Sequence, residues 1–208
     1  MLTITTFDEL HRLGRERKSL EFEQYFGEMD LNRRQREHRI DAAEELEDEI
    51  LDFYLWFTLN EDADENTVRE RARQALKNAV NRETSMDRTL EEHLEVIADS
   101  IADTTVKRKK DPFTLSEDRA KESAEGVANS VWNYKEFDDA LVRGKRFKTW
   151  ISMRDERVRM DHDIADGQMV QITEAFDVGG YPMMYPKDDS LGAPLEEIIN
   201  CRCTVEYT

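Results

Sequence analysis

Both cysteines of this chain stand in its closing stretch, Asn200-Cys201-Arg202-Cys203, and a histidine, His162, precedes them in a run of aspartates. Thiolate sulfur and imidazole nitrogen are ligands of zinc, and a thiol beside an imidazole can also act as a nucleophile with its base. Asp155, Asp161, Asp163 and Asp166 flank the histidine and offer oxygen ligands, the donors that hold Mg²⁺ in hydrolases and nucleases. Arg157 and Arg159 stand in the same run, and Arg159 sets a fixed positive charge close to any metal. Two readings stay open. In the first, His162, Cys201 and Cys203 bind zinc and pin the end of the chain to the Asp166-Gly167 turn. In the second, Arg159 replaces the metal by pairing with a carboxylate such as Asp155 or Asp166, and the cysteines are small buried side chains. The second is favoured, because a structural zinc site takes four good ligands and the non-carboxylate candidates stop at three.

A scaffold role accounts for most of the other residues. An aspartate before a turn accepts backbone N–H bonds, Asp166-Gly167 is a turn signal, and Gly167 and Gly179-Gly180 suit positive φ. Trp150, Phe176 and Tyr185 are expected in the core rather than at a ligand. His11, His38 and His93 fall on helical segments and are expected in solvent. There is no glycine-rich phosphate loop and nothing protease-like around the cysteines, so binding work rather than catalysis is expected.

The elements that must position these residues divide at about Gly144, giving an α+β chain: a helical region, 1–143, then a small α+β module, 144–208. Phe7, Leu10, Leu13, Leu20, Phe22, Tyr25 and Phe26 form an amphipathic opening with breaks near Gly14 and Gly27. Ile40, Ala43, Leu46, Ile50, Phe53, Tyr54 and Phe57 recur every three or four residues and predict a helix over 32–59. Val68 to Ala79 mark another, ending near Arg82. A further helix follows from Met86 through Ile101, capped by Ser85 or by a Thr89/Glu92 box, and Pro112 closes it. Thr114 or Ser116 starts the last long helix, with Val127, Val131, Trp132, Tyr134 and Leu141 towards the core and Gly144 at its end. Beyond it the period becomes two: strands are expected at 147–153, at 169–172 and at the C-terminus, with a proline-rich loop at Pro182, Pro186 and Pro194.

Charge excludes one class of partner. With a formal net charge of −17, the whole surface repels phosphate. Residues 143–159 nevertheless hold seven Lys/Arg against two acids, so residues 107–110 and 143–148 are the places for local DNA contact. No apolar run approaches the roughly 20 residues needed to cross a membrane. The N-terminal residues lack a signal-peptide pattern, and a Cys-x-Cys suits folding in a reducing cytoplasm.

In order and spacing, Lys148-x-Trp150-x-Ser152-x-x-Asp155-x-Arg157-Val158-Arg159-x-x-His162, Asp166-Gly167-Gln168, Phe176, Gly179-Gly180, Tyr185-Pro186-x-Asp188 and Asn200-Cys201-Arg202-Cys203 resemble the C-terminal domain of phage head-morphogenesis (Mu F-like minor capsid) proteins. The resemblance covers residues 145–208. It implies a minor virion protein of a tailed phage or prophage, made in the bacterial cytoplasm and placed in the head interior or at the portal vertex. Its partners would be the portal protein, with the scaffold or major capsid protein beside it, and it would assist packaging or ejection of DNA. Many family members carry Cys-x-x-Cys at the Arg159 and His162 positions and a His-Pro before the Asn-Cys-Arg-Cys, a closed zinc set. Here those positions are Arg159, His162, Ile198 and Ile199, which leaves His162, Cys201 and Cys203 for zinc. The alternative is a metal-dependent hydrolase or nuclease centred on His162 and the Cys-x-Cys.

Overall fold

In a computed structural model, which describes residues 7–208 with side chains from Glu16 onward, the chain is α+β, helices first and small antiparallel sheets last. The contacts expected of Phe7, Leu10 and Leu13, and the placement of His11, lie outside the described residues. Helix α1 runs Phe7–Gly27. It passes through Gly14 unbroken, since one helical glycine costs only about 1 kcal/mol, and it stops at Gly27. Helix α2 (Arg33–Leu59) begins at Asn32, whose side chain accepts from the Gln35 amide while the Gln35 side chain accepts from the Asn32 amide. Asp64 caps α3 (Glu65–Glu83).

Helix α4 (Arg88–Lys107) is capped by neither Ser85 nor Thr89. Asp87 does it, accepting from the Leu90 amide at 2.9 Å, because a carboxylate there also meets the Tyr134 hydroxyl. A 3₁₀ turn at Pro112–Leu115 leads to Ser116, the cap of α5 (Glu117–Val142). Gly144, at φ 68°, closes α5 and lets the Lys145 amide reach back to the Ala140 carbonyl.

The apolar faces of these helices close on one another. Phe22 and Phe26 of α1, Leu46, Ile50 and Phe57 of α2, Leu76 of α3, Leu94 of α4 and Val131 of α5 share one core, whereas Leu141, beside the exposed Val142, turns outward. Arg39 is fully buried between α2 and α5. It is tolerated because Asn129, Asn133 and Glu136 accept its N–H groups at 2.6 to 3.0 Å. The same asparagines face onward: Asn129 donates to the Cys201 carbonyl, and Asn133 to those of Pro186 and Cys203. The C-terminal segment is thus keyed to α5 through its cysteines.

That segment contains β1 (Phe147–Ile151), a one-and-a-half-turn α6 (Met160–Ala165), β2 (Met169–Gln171), β3 (Phe176–Val178), β4 (Tyr181–Met183), a single-turn α7 (Leu195–Ile198) and β5 (Thr204–Tyr207). β1 is the central strand of an antiparallel sheet ordered β2-β1-β5, with Trp150 opposite Val205. β3 and β4 form a hairpin turning at Gly179 (φ 62°) and Gly180 (φ 87°). The sequence reads Pro182 as loop; it lies in β4, which is tolerable because β4 pairs with β3 alone and leaves an open edge. Trp150, Phe176, Val178, Met183, Ile198, Cys201, Cys203 and Val205 make a second apolar cluster. β1 turns Lys148 inward with Trp150. The Lys148 ammonium donates to the Met184 carbonyl at 2.7 Å and lies 4.9 Å from the Phe137 and Phe176 ring centres. Lys148 is therefore no part of a surface basic strip.

Candidate functional site

Helix α6 and the lead-in to β5 bring the histidine and both cysteines together. Asn200 makes this turn, at φ 56°, a left-handed conformation that asparagine tolerates better than most residues. Cys201 and Cys203 then face inward by strand alternation, and Arg202 faces away. His162 Nδ1 lies 3.5 Å from Cys201 Sγ and 3.4 Å from Cys203 Sγ, and all three residues are buried. On the far side of the ring, His162 Nε2 meets Glu197 Oε2 at 3.0 Å, and the Trp150 ring stands edge-on at 5.7 Å.

The environment sorts the protons. The Cys203 thiol donates towards Cys201, and although burial opposes it, this bond and His162 hold Cys201 well below the ordinary thiol range. Cys203, donating to Cys201 and buried, is pushed far up. Burial alone would lower His162, but its contacts with Cys201 and Glu197 outweigh that and raise it. Both shifts run towards a Cys201 thiolate facing a protonated His162.

The donor set also fits zinc. Tetrahedral bonds of about 2.3 Å to sulfur and 2.0–2.1 Å to nitrogen place S and N roughly 3.6 Å apart, close to the separations here. The three ligand atoms lie within 4.8 Å of one another. Glu197 on the opposite ring nitrogen is the carboxylate partner that fixes a metal-bound imidazole's tautomer and raises its basicity. Beside the cluster is a cavity of about 10 Å³, lined in part by Arg157, Arg159 and Arg202, room for one water as a fourth ligand. His162, Cys201 and Cys203 would hold the ion, which when bound would cross-link α6 to the start of β5.

Two of the carboxylates expected beside this cluster are engaged elsewhere, and Asp163 is exposed. Asp155 accepts two bonds from Arg202, both 2.8 Å, and one from the Arg157 amide. Asp166 accepts from the Ser152 amide and from Arg154 Nε, both at 2.8 Å. The Asp161 carboxylate lies where a side chain on Gly179 would stand, which with φ 62° makes glycine obligatory there. The expected substitution of Arg159 for the metal is therefore incorrect: Arg159 donates to the Ile199 carbonyl, and Arg202 and Arg154 hold the aspartates assigned to it. Arg202 prevails because it leaves the strand lead-in on the side opposite the cysteines, where Asp155 lies. Gly167 has its expected positive φ, 76°, and Arg157 is exposed beside Glu28.

The sequence does not mark Glu197. It lies on a single helical turn, too short to show a period, and only its place four residues before Cys201 hints at it. His93 is buried in place of the solvent exposure expected of it. No protein-family model, curated protein or solved structure matches this chain.

Proposed function

We propose that this chain is a binding component of a protein assembly, with a C-terminal module locked by the His162–Cys201–Cys203 cluster. More particularly, it acts as a minor capsid, head-morphogenesis protein of a tailed phage or prophage, binding near the portal during procapsid assembly and assisting DNA packaging or ejection. One observation carries this reading: motif residues spread over sixty positions meet in one module, each with a framework task. Trp150 fills the centre, Asp155 holds Arg202, Asp166 ties the end of β1, Gly167 and Asn200 make left-handed turns, and Cys201 and Cys203 face His162. These are the residues on which the resemblance to head-morphogenesis proteins rests.

Docking to a portal or to the major capsid protein needs exposed apolar surface. The apolar faces of the long helices mostly close on the core, although Leu55 and Leu59 of α2 and Val142 of α5 stay exposed. Met160 and Ile164, four apart on α6, are 78% and 74% exposed and offer such a surface on the module itself. No helix among the described residues is long and apolar enough to cross a membrane. A hydrolase centred on His162 is disfavoured, because substrate would have to reach a residue 2% exposed beside a cavity of about 10 Å³.

The test is mass spectrometry of particles and procapsids purified from the lysogen, with co-sedimentation of the chain on that phage's portal ring. Presence in particles, and co-sedimentation weakened in Met160→Asp/Ile164→Asp, are expected. Absence from particles and procapsids would overturn the assignment.

A further inference from the structure

Helices α4 and α5 and the loop after β4 assemble a second group of residues that the proposed function does not use. His93 Nδ1 lies 2.8 Å from Asp189 Oδ1, and His93 Nε2 lies 2.6 Å from Ser130 Oγ. An ionised carboxylate only accepts, so Nδ1 carries a proton; in the neutral ring Nε2 is then the acceptor, and the Ser130 hydroxyl donates to it. That polarity is the one in which an imidazole, oriented by a carboxylate, takes a serine's proton. Ser130 and His93 are 1% and 5% exposed, yet Ser130 lines a cavity of about 100 Å³ with Ile97, Val127, Ile198, Asn200 and Lys187.

Lys187 is out of the ordinary in two respects. Its backbone is left-handed, φ 74°, a strain that persists only where the surroundings impose it. Its side chain is buried with no hydrogen bond or salt bridge among the described residues; it lines the same cavity as Ser130, and the charge it feels most is that of Cys201. Its Nζ stands 3.5 Å from where a Cβ on Gly126 would be, one helical turn before Ser130. The loop is held from several sides: Asp188 accepts the Met184 and Ser190 amides, Lys148 donates to the Met184 carbonyl, and Asn133 to that of Pro186.

We propose that Ser130, backed by His93 and Asp189 and sharing its cavity with the amine of Lys187, is a nucleophile that accepts a short acyl group from an ester. Ser130 Oγ bonds to the ester carbonyl carbon as its proton passes to His93 Nε2. The carbonyl oxygen, now negative, is met by Lys187. The bond from carbon to the alkoxy oxygen then breaks, the alcohol leaves with the proton from His93, and the acyl group stays on Ser130. Water attacking by the same route releases the acid and restores the serine. The cavity, about 100 Å³, has room for an acyl group of a few carbons.

The test is exposure of the full chain to p-nitrophenyl acetate, followed by peptide mapping. One equivalent of p-nitrophenolate released in a burst and acetyl on Ser130 are expected. Both are lost in Ser130→Ala, and the burst slows by roughly tenfold or more in His93→Gln and Asp189→Asn. Ser130→Cys, which keeps a nucleophile, carries the acetyl group on sulfur, so loss of labelling is separated from loss of fold. Acetyl found on Lys187 or on surface amines, or a burst unchanged in Ser130→Ala, overturns the proposal. So does the absence of labelling in a chain with a native melt.

Discussion

At the scale of single residues the C-terminal module turns on how His162 is held. Its Nδ1 faces two sulfurs and its Nε2 faces Glu197, so one ring joins α6, α7 and the approach to β5. Elemental analysis is expected to find close to one zinc per chain, and chelation to lower the melting temperature. Cys201→Ser removes the metal, and Glu197→Gln weakens its binding by about 10–100-fold. A chain without zinc whose melt ignores chelator would leave the Cys201–His162 ion pair as the lock. The arginines separate as sharply. Arg202→Ala takes a nearly buried guanidinium from Asp155 and is expected to cost about 1.5–3 kcal/mol. Arg159→Ala removes a bond to one backbone carbonyl and should cost less than half as much. Urea melts of the two variants check the order, and equal losses would contradict it.

At the scale of elements, the helix starts explain where the long helices begin. Asn32, Asp64, Asp87 and Ser116 each accept an amide of the first turn, one of the donors a helix leaves unsatisfied. Asp87 does more than the rest, since its second oxygen accepts from the Tyr134 hydroxyl at 2.7 Å and ties α4 to α5. Asp87→Ala is expected to destabilise by about 2 kcal/mol, against about 1 kcal/mol for Asn32→Ala. Denaturant midpoints measure both, and a larger loss in Asn32→Ala would place the α4–α5 tie elsewhere. Ser85, Thr89 and Asp87 all have capping chemistry within five residues, so only the position of Tyr134 settles which one serves.

For the whole molecule, charge and burial set the dependence on pH. Glu125 of α5 is largely covered, and burial pushes its carboxyl up to about 7, with only Lys121 opposing. Its folded value lies above the unfolded one, so the native chain holds this proton more tightly. Its contribution to stability is full below about pH 4.5 and is lost as pH rises towards about 7. Glu125→Gln is therefore expected to match the native chain near pH 4 and exceed it near pH 8. After discounting for solvent the gain is roughly 1 kcal/mol. Thermal melts at the two pH values decide it, and an equal gain at both would mean the effect is packing. The formal charge of −17 acts in the same direction, because self-repulsion grows as carboxylates ionise.

Periodicity and punctuation alone determine the long helices and the α+β class, and the chemistry of thiol and imidazole singles out His162, Cys201 and Cys203, which the fold brings together. Apolar residues every three or four positions have one economical burial, and Gly144, free to take positive φ, ends α5, whereas α4 already ends at Lys107 and Pro112 opens the 3₁₀ turn after it. Trp150, Phe176 and Tyr185 are legible as core for the same reason, being too large to leave in water. Only the tertiary structure decides the partners. Whether Asp155 meets Arg159 or Arg202 depends on which side of the strand lead-in each arginine leaves. The single turn of α7 that presents Glu197 has no period to read. The approach of His93 to Ser130 and Asp189, and the burial of Lys148 and Lys187, join residues from separate elements. Their side chains read as solvent-facing until packing removes the water and leaves each polar group to be satisfied by what lies against it.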